Sequence, residues 1–283
     1  LIYPFFAFIV VLTAILYPIS GSWQWGGGWL SEMGFSDFAG STIVHSVGGW
    51  AALVGALVLG ARKGKFNDDG TANVMPGSSI PMATLGVWIL WLGWFGFNGA
   101  SQLALGSYAD ADAVATIFAN TSMAAAGGVL APMVLSRLMY GKTDIGATLN
   151  GAIAGLVSIT AEPLTPSIGQ AIIIGGIGGI ICMFGMKLLD KLKIDDVVGA
   201  IPAHLFAGIW GTLIVPFTNG DTSYGTQIIG ILAFGIFTVI GSTIVWFVLK
   251  STVGIRASDD DEEYGLDYTE SGQAGLEYVS KKK

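Results

Sequence analysis

Long apolar runs alternate with short polar stretches along the chain as far as about residue 250. The runs cover about 1–20, 38–61, 80–104, 113–140, 146–163, 168–189, 197–217 and 225–250. Each comes close to the roughly 20 residues that a helix needs to cross a hydrocarbon layer. In such a layer only helices, or strands closed into a barrel, satisfy their own backbone groups. These runs are too long and too continuous for barrel strands. The pattern therefore predicts an all-α fold, a polytopic membrane helix bundle with eight transmembrane helices in a domain spanning 1–250. The fifth run is the shortest and ends at Pro163. From Ser251 the chain turns polar and acidic (ASDDDEEYGLDYTESGQAGLEYVSKKK, 257–283), which predicts a separate tail over 251–283, partly disordered when free. GLDY (265–268) and GLEY (275–278) form a small local repeat within it.

Composition names the solvent. Hydrophobic residues make up 52% of the chain and charged residues 12%, against about 25% charge in a soluble domain. Mean hydropathy is +0.66. Glycine, 42 of 283 residues, clusters inside apolar runs such as AIIIGGIGGIICMFG (171–185), where small residues let helices approach closely. The single cysteine, Cys182, excludes a disulfide within the chain, and no metal cluster is suggested. Leu1 opens directly on an apolar run, without the charged start of a leader peptide. It is read as a spanning segment, with further residues expected upstream.

Charge then sets orientation. All 13 Lys and Arg fall after even-numbered runs: Arg62, Lys63 and Lys65; Arg137 and Lys142; Lys187, Lys191 and Lys193; Lys250, Arg256 and Lys281 to Lys283. Eight spans place them on one side, which the positive-inside rule makes cytoplasmic, together with the C-terminus. The opposite loops carry Glu32, Asp37, Asp110, Asp112, Glu162 and Asp221 and no base. Such a face attracts cations.

The chemistry narrows to two histidines, the only ones in the chain. His45 lies in STIVHSVGGW (41–50) and His204 in IPAHLFAGIW (201–210). Asp37, Gly40, His45 and Gly49 share the spacing D-x2-G-x4-H-x3-G with Asp196, Gly199, His204 and Gly208. The two runs point in opposite directions, the mark of inverted repeats, which place a transport site near the membrane midplane. Eight residues from Asp to His make about 12 Å of helix, so entry from opposite faces brings both imidazoles near the middle. Ionisable groups at that depth are costly and point to function. No G-x-S-x-G elbow accompanies them, and an enzyme is not expected. Two readings remain open on these residues alone: a polar pore, or a bis-histidine haem site.

At these residues the sequence resembles the family of ammonium transporters, methylammonium permeases and Rhesus proteins. DFAGSTIVHSVGGWAALVGALVLGARKG (37–64) is similar to the family's signature segment. WGGGWL (25–30), GWFGFNGAS (93–101), NGAIAGLVSIT (150–160), DDVVGAIPAHLFAGIWGTL (195–213) and VGIRASDDDEEYGLD (253–267) extend the likeness over nearly the whole chain. The resemblance implies an inverted-repeat fold of eleven helices, of which the eight here would be the fourth to the eleventh, in a homotrimer with one pore per subunit. It implies transport of ammonium or methylammonium through the cytoplasmic membrane, or ammonium sensing on the same scaffold, with no cofactor. Carried over residue by residue, Trp25 and Ser101 would form the outer ammonium site and Phe97 a gate. His45 and His204 would be the twin pore histidines, and Asp37 a structural cap below the outer site. Trp94 and Asn98 receive no role. A PII-type signalling protein would bind the cytoplasmic face, and no nucleic acid is expected as a partner.

Overall fold

The structure is a computed structural model and describes residues 1–273. It is helical, with no strand among the described residues; one isolated antiparallel bridge joins Phe66 and Ala72. Each apolar run finds its helix: α1 Ile2–Ser22, α2 Ser41–Leu59, α3 Ile80–Ala100, α4 Tyr108–Tyr140, α5 Ile145–Ile159, α6 Ile168–Lys191, α7 Pro202–Thr218 and α8 Tyr224–Thr252. Among the described residues six are long and apolar enough to cross a membrane, while α5 and α7 are shorter apolar helices.

Several boundaries move for local reasons. α4 starts at Tyr108, ahead of the expected 113, because Ser107 and Asp110 form a capping box. Asp110 therefore sits in a helix's first turn, where its charge suits the helix dipole. α3 ends at Ala100, short of 104, and Leu103 beyond it takes a left-handed φ of 59°.

The centre of the bundle is backbone packed on backbone. A Cβ on Gly175 of α6 would lie 2.0 Å from the Ala124 carbonyl oxygen of α4. One on Gly128 would lie 2.2 Å from the Gly151 oxygen of α5. These glycines let α4, α5 and α6 close to a distance that any side chain would prevent. α2 and α7 cross in the same manner: a Cβ on Gly49 would meet Leu205, and one on Gly208 would meet the Ser41 carbonyl. The Thr42 and Thr212 hydroxyls, 2.7 Å apart, complete the crossing.

The end of the bundle that carries the bases is tied by ion pairs. Arg62 grips Asp195 through Nε (2.7 Å) and a terminal nitrogen (2.8 Å), and its backbone N–H adds a third bond at 2.9 Å. Burial acts to raise the Asp195 carboxyl; the Arg62 hydrogen bonds and charge, with Lys65 behind them, outweigh it and hold the carboxyl below its ordinary range. Lys65 pairs with Asp190 at 2.9 Å. Two short helices, α9 Asp259–Tyr264 and α10 Leu266–Ser271, follow a capping box at Ser258, with four acids in the first turn of α9. Arg256–Glu262 at 2.7 Å and Lys63–Glu263 at 3.5 Å bracket α9. GLDY falls within 265–268, whereas GLEY and Lys281 to Lys283 lie outside the described residues.

Candidate functional site: a paired-histidine centre

The site is built from two capped helix starts. Asp37, fully buried, accepts the N–H groups of Gly40 and Ser41 on Oδ1, both at 2.9 Å. Its Oδ2 accepts those of Thr42 (2.8 Å) and Ile43 (2.9 Å). One carboxylate thus satisfies four donors that a helix start leaves free. Asp196 does the same at the start of α7, taking Gly199 and Ala200 at 3.1 Å and Ile201 at 2.7 Å. Gly40 and Gly199 have φ of +115° and +78°, conformations that favour glycine. The spacing D-x2-G therefore encodes a sharp turn followed by a capped helix, twice.

Each cap leads into a π-helical turn that contains the histidine, Ser41–Ser46 in α2 and Pro202–Phe206 in α7. The His45 N–H reaches back five residues to the Gly40 carbonyl, at 2.9 Å. Such turns cost regular hydrogen bonding and recur at functional sites. They bring the two imidazoles together. His45 Nδ1 and His204 Nδ1 are 3.2 Å apart, with ring centroids at 5.2 Å. A hydrogen bond between two Nδ1 atoms needs one of them protonated and the other bare. The donor ring then has a bare Nε2, an acceptor, and its neighbour an Nε2–H, a donor. His45 Nε2 is buried with no partner in the protein.

α3 supplies the aromatic wall. Trp94 stacks on the His45 ring at 4.9 Å and 19°, and Phe97 leans on it at 5.3 Å. Trp94 is anchored in turn: its Nε1–H donates to the Thr160 hydroxyl at 2.9 Å, and Thr160 donates to the Leu156 carbonyl at 2.7 Å. Asn98 Oδ1 lies 3.2 Å from Thr160 Oγ1, and Asn98 Nδ2 donates to the Thr121 hydroxyl at 2.9 Å. This buried polar chain joins α3, α4 and α5 behind the histidines. Sequence reasoning gave Trp94 and Asn98 no role. The signal was available: an asparagine inside an apolar span, one helical turn from a tryptophan, is itself a costly placement.

The remaining candidates sit toward the acidic end. The Trp25 indole N–H donates to the Asp37 carbonyl at 3.0 Å. A Cβ on Gly40 would lie 3.2 Å from the Trp25 ring, so the indole covers the start of α2. Ser101 stands one turn beyond Phe97 and donates to its carbonyl at 2.8 Å, which leaves the hydroxyl oxygen able to accept from a ligand. The structure thus brings His45, His204 and Phe97 together, with Ser101 at the end of α3 and Trp25 in the turn that follows α1. Trp25 and Phe97 are 45% and 39% exposed.

A haem does not fit here. Bis-histidine ligation holds the two nitrogens on opposite faces of a porphyrin, and the gap between these rings admits no macrocycle. Among the described residues no group of three or more His, Cys, Asp or Glu could hold a metal ion, and Cys182 is buried and alone.

The class that fold and site define is a multi-pass helical membrane protein in which two inverted, capped helices meet at paired imidazoles. The chain belongs to the ammonium transporter family: residues 2–276 match the profile described as Ammonium Transporter Family. Ammonium transporter Amt2 of Archaeoglobus fulgidus is 40% identical over 298 residues, covering 94% of this chain and 62% of that protein. Among solved structures, one titled Sensor Amt Protein superposes with a TM-score of 0.87 at 35% identity, covering 92% of this chain and 68% of that one. Mep2 of Candida albicans gives 0.82 at 28% identity, covering 92% and 61%. The chain spans about 60% of the length of the first curated relatives it matches.

Proposed function

We propose that the protein moves ammonium across the cytoplasmic membrane by stripping it to ammonia. The observation that carries this reading is the pair of imidazoles in contact at 3.2 Å inside an apolar bundle. Ammonium crossing such a bundle intact would lose its hydration at heavy cost. Ammonia is neutral and needs only a hydrogen-bond donor and acceptor on its way. The histidine pair offers both, and burial in an apolar bundle favours neutral rings.

Recruitment falls to the acidic end, here assigned to the outside. Glu32, Asp110, Asp112 and Asp221 draw cations there, whereas Asp37 and Glu162, expected to join them, are buried and hydrogen-bonded within the protein. The Trp25 face attracts the ion by cation–π interaction, and the Ser101 oxygen accepts one of its hydrogen bonds. The ion then gives its proton to water on the outer side, and the ammonia left behind passes Phe97 to reach His45 and then His204. Potassium is similar in size to ammonium but has no proton to give up, so this route excludes it.

A homotrimer with one pore per subunit, a cytoplasmic basic end and a PII-type partner on that face belong to the same reading. The mass of the solubilised protein reads the first, and a pull-down with a PII-type protein across its nucleotide states reads the last. A second reading, an ammonium sensor, draws on the likeness to the Sensor Amt structure. Ammonium or methylammonium uptake into proteoliposomes, recorded with current and with potassium as competitor, separates the two. Uptake that ignores potassium supports transport. Binding without uptake supports sensing, and uptake that fails to discriminate against potassium contradicts the deprotonation step.

A further inference from the structure

Gln227 lies in the first turn of α8, a helix that carries neither histidine, and it is fully buried. An amide in such surroundings is costly unless its hydrogen bonds are made. Here they are made with the backbone of two other segments. Gln227 Oε1 accepts the Ser36 N–H at 2.9 Å, and Nε2 donates to the Ser36 carbonyl at 2.7 Å and to the Thr212 carbonyl at 2.9 Å. The amide has one orientation, since turning it over would set its oxygen against two carbonyl oxygens. One side chain thus clamps Ser36 at both of its backbone groups and ties it to α7.

Each held residue leads to the site. Ser36 immediately precedes Asp37, whose carboxylate caps α2 and whose carbonyl takes the Trp25 indole N–H at 3.0 Å. The Thr212 hydroxyl lies 2.7 Å from that of Thr42, one turn before His45 on α2. Packing alone would be served by a leucine or a methionine at position 227. The amide adds a fixed spacing between the start of α2 and the facing part of α7. The histidines are held by other means as well: the Gly49–Leu205 and Gly208–Ser41 contacts and the stacked Trp94. Trp25 has the Asp37 carbonyl as its hydrogen-bond acceptor. Resting on the transport reading above, we propose that Gln227 is a positioning residue for ammonium capture, which sets Trp25 through Ser36 and Asp37 and acts on the ion only through that indole.

Ammonium flux as a function of ammonium concentration, measured in proteoliposomes of the purified full chain, tests this role. Gln227→Leu releases Ser36 and should raise KM roughly threefold or more, within the range that a cation–π contact contributes, with a smaller change in maximal flux per folded protein. Trp25→Ala should raise KM as well. Gln227→Leu added to Trp25→Ala should raise it no further, because two residues acting through one contact are not additive. Gln227→Glu, of the same length but without the N–H donors, should behave as Gln227→Leu does and carries the same test if unfolding temperature shows the leucine variant misfolded. Loss of folding in both variants, or a lowered maximal flux at unchanged KM, would reduce Gln227 to a structural brace and overturn the proposal. A KM rise that adds in full to that of Trp25→Ala would overturn it too. A parent that carries no ammonium would instead sink the transport reading, and this proposal with it.

Discussion

At the scale of residues, two aspartates decide where two histidines stand. Asp37 holds four backbone N–H groups in a fully buried turn, and Asp196 holds three in a half-buried one. The repeated spacing D-x2-G-x4-H-x3-G was legible in the sequence, but a capping role was expected only of Asp37, through the family resemblance, and not of Asp196. The sequence did not show the π turns. Nothing in STIVHS or PAHLF marks a wider helical turn. Nor did it show Trp94 on the His45 ring, a contact that depends on how α3 docks. The caps differ in burial, so their loss should differ in cost. Replacing Asp37 by Ala strands four buried donors and should cost at least about 3 kcal/mol of stability. Asp196→Ala should cost less, because water reaches its donors. Thermal unfolding of the two solubilised variants checks the order; equal losses would show that burial of the cap is not what matters.

At the scale of elements, the apolar runs located α1 to α8, missed the short helices Trp29–Glu32, α9 and α10, and erred at the ends. The Ser107–Asp110 capping box moved the start of α4 outward, and Ser258 with its acids capped a helix, α9, in a tail whose composition read as loose. Hydropathy is blind to both, because caps are set by one or two polar residues. The glycine-rich run of α6 was legible as a packing surface but not which glycines touch. Gly175 meets the Ala124 backbone, whereas Gly169, on the same helix, has nothing within 4 Å of a would-be Cβ. Gly175→Ala should therefore force α4 and α6 apart at about 1–3 kcal/mol, while Gly169→Ala should be neutral or slightly stabilising. Unfolding temperatures of the two variants, compared with the parent, decide it. Similar behaviour would mean that the helices can slide to accommodate a methyl group.

At the scale of the whole molecule, charge and chemistry are segregated along one axis. The loops at one end carry acids and no base, the other end carries all the bases together with acids that pair with several of them, and the apolar middle holds the paired imidazoles and the polar chain behind them. On the function proposed above, the acidic face gathers cations and the neutral base crosses, handed between a donor and an acceptor on neighbouring rings. That claim rests on His45 and His204 more than on any other residues. Its most direct test is ammonium flux in proteoliposomes for the parent, His45→Leu and His204→Leu, with folding checked by unfolding temperature. The account predicts folded variants, since one stranded hydrogen-bond partner costs only roughly 1–3 kcal/mol, with potassium-insensitive ammonium flux abolished in both. A His45→Leu protein that carries ammonium at the parent rate with unchanged discrimination against potassium would contradict it, and would reduce the paired imidazoles to packing.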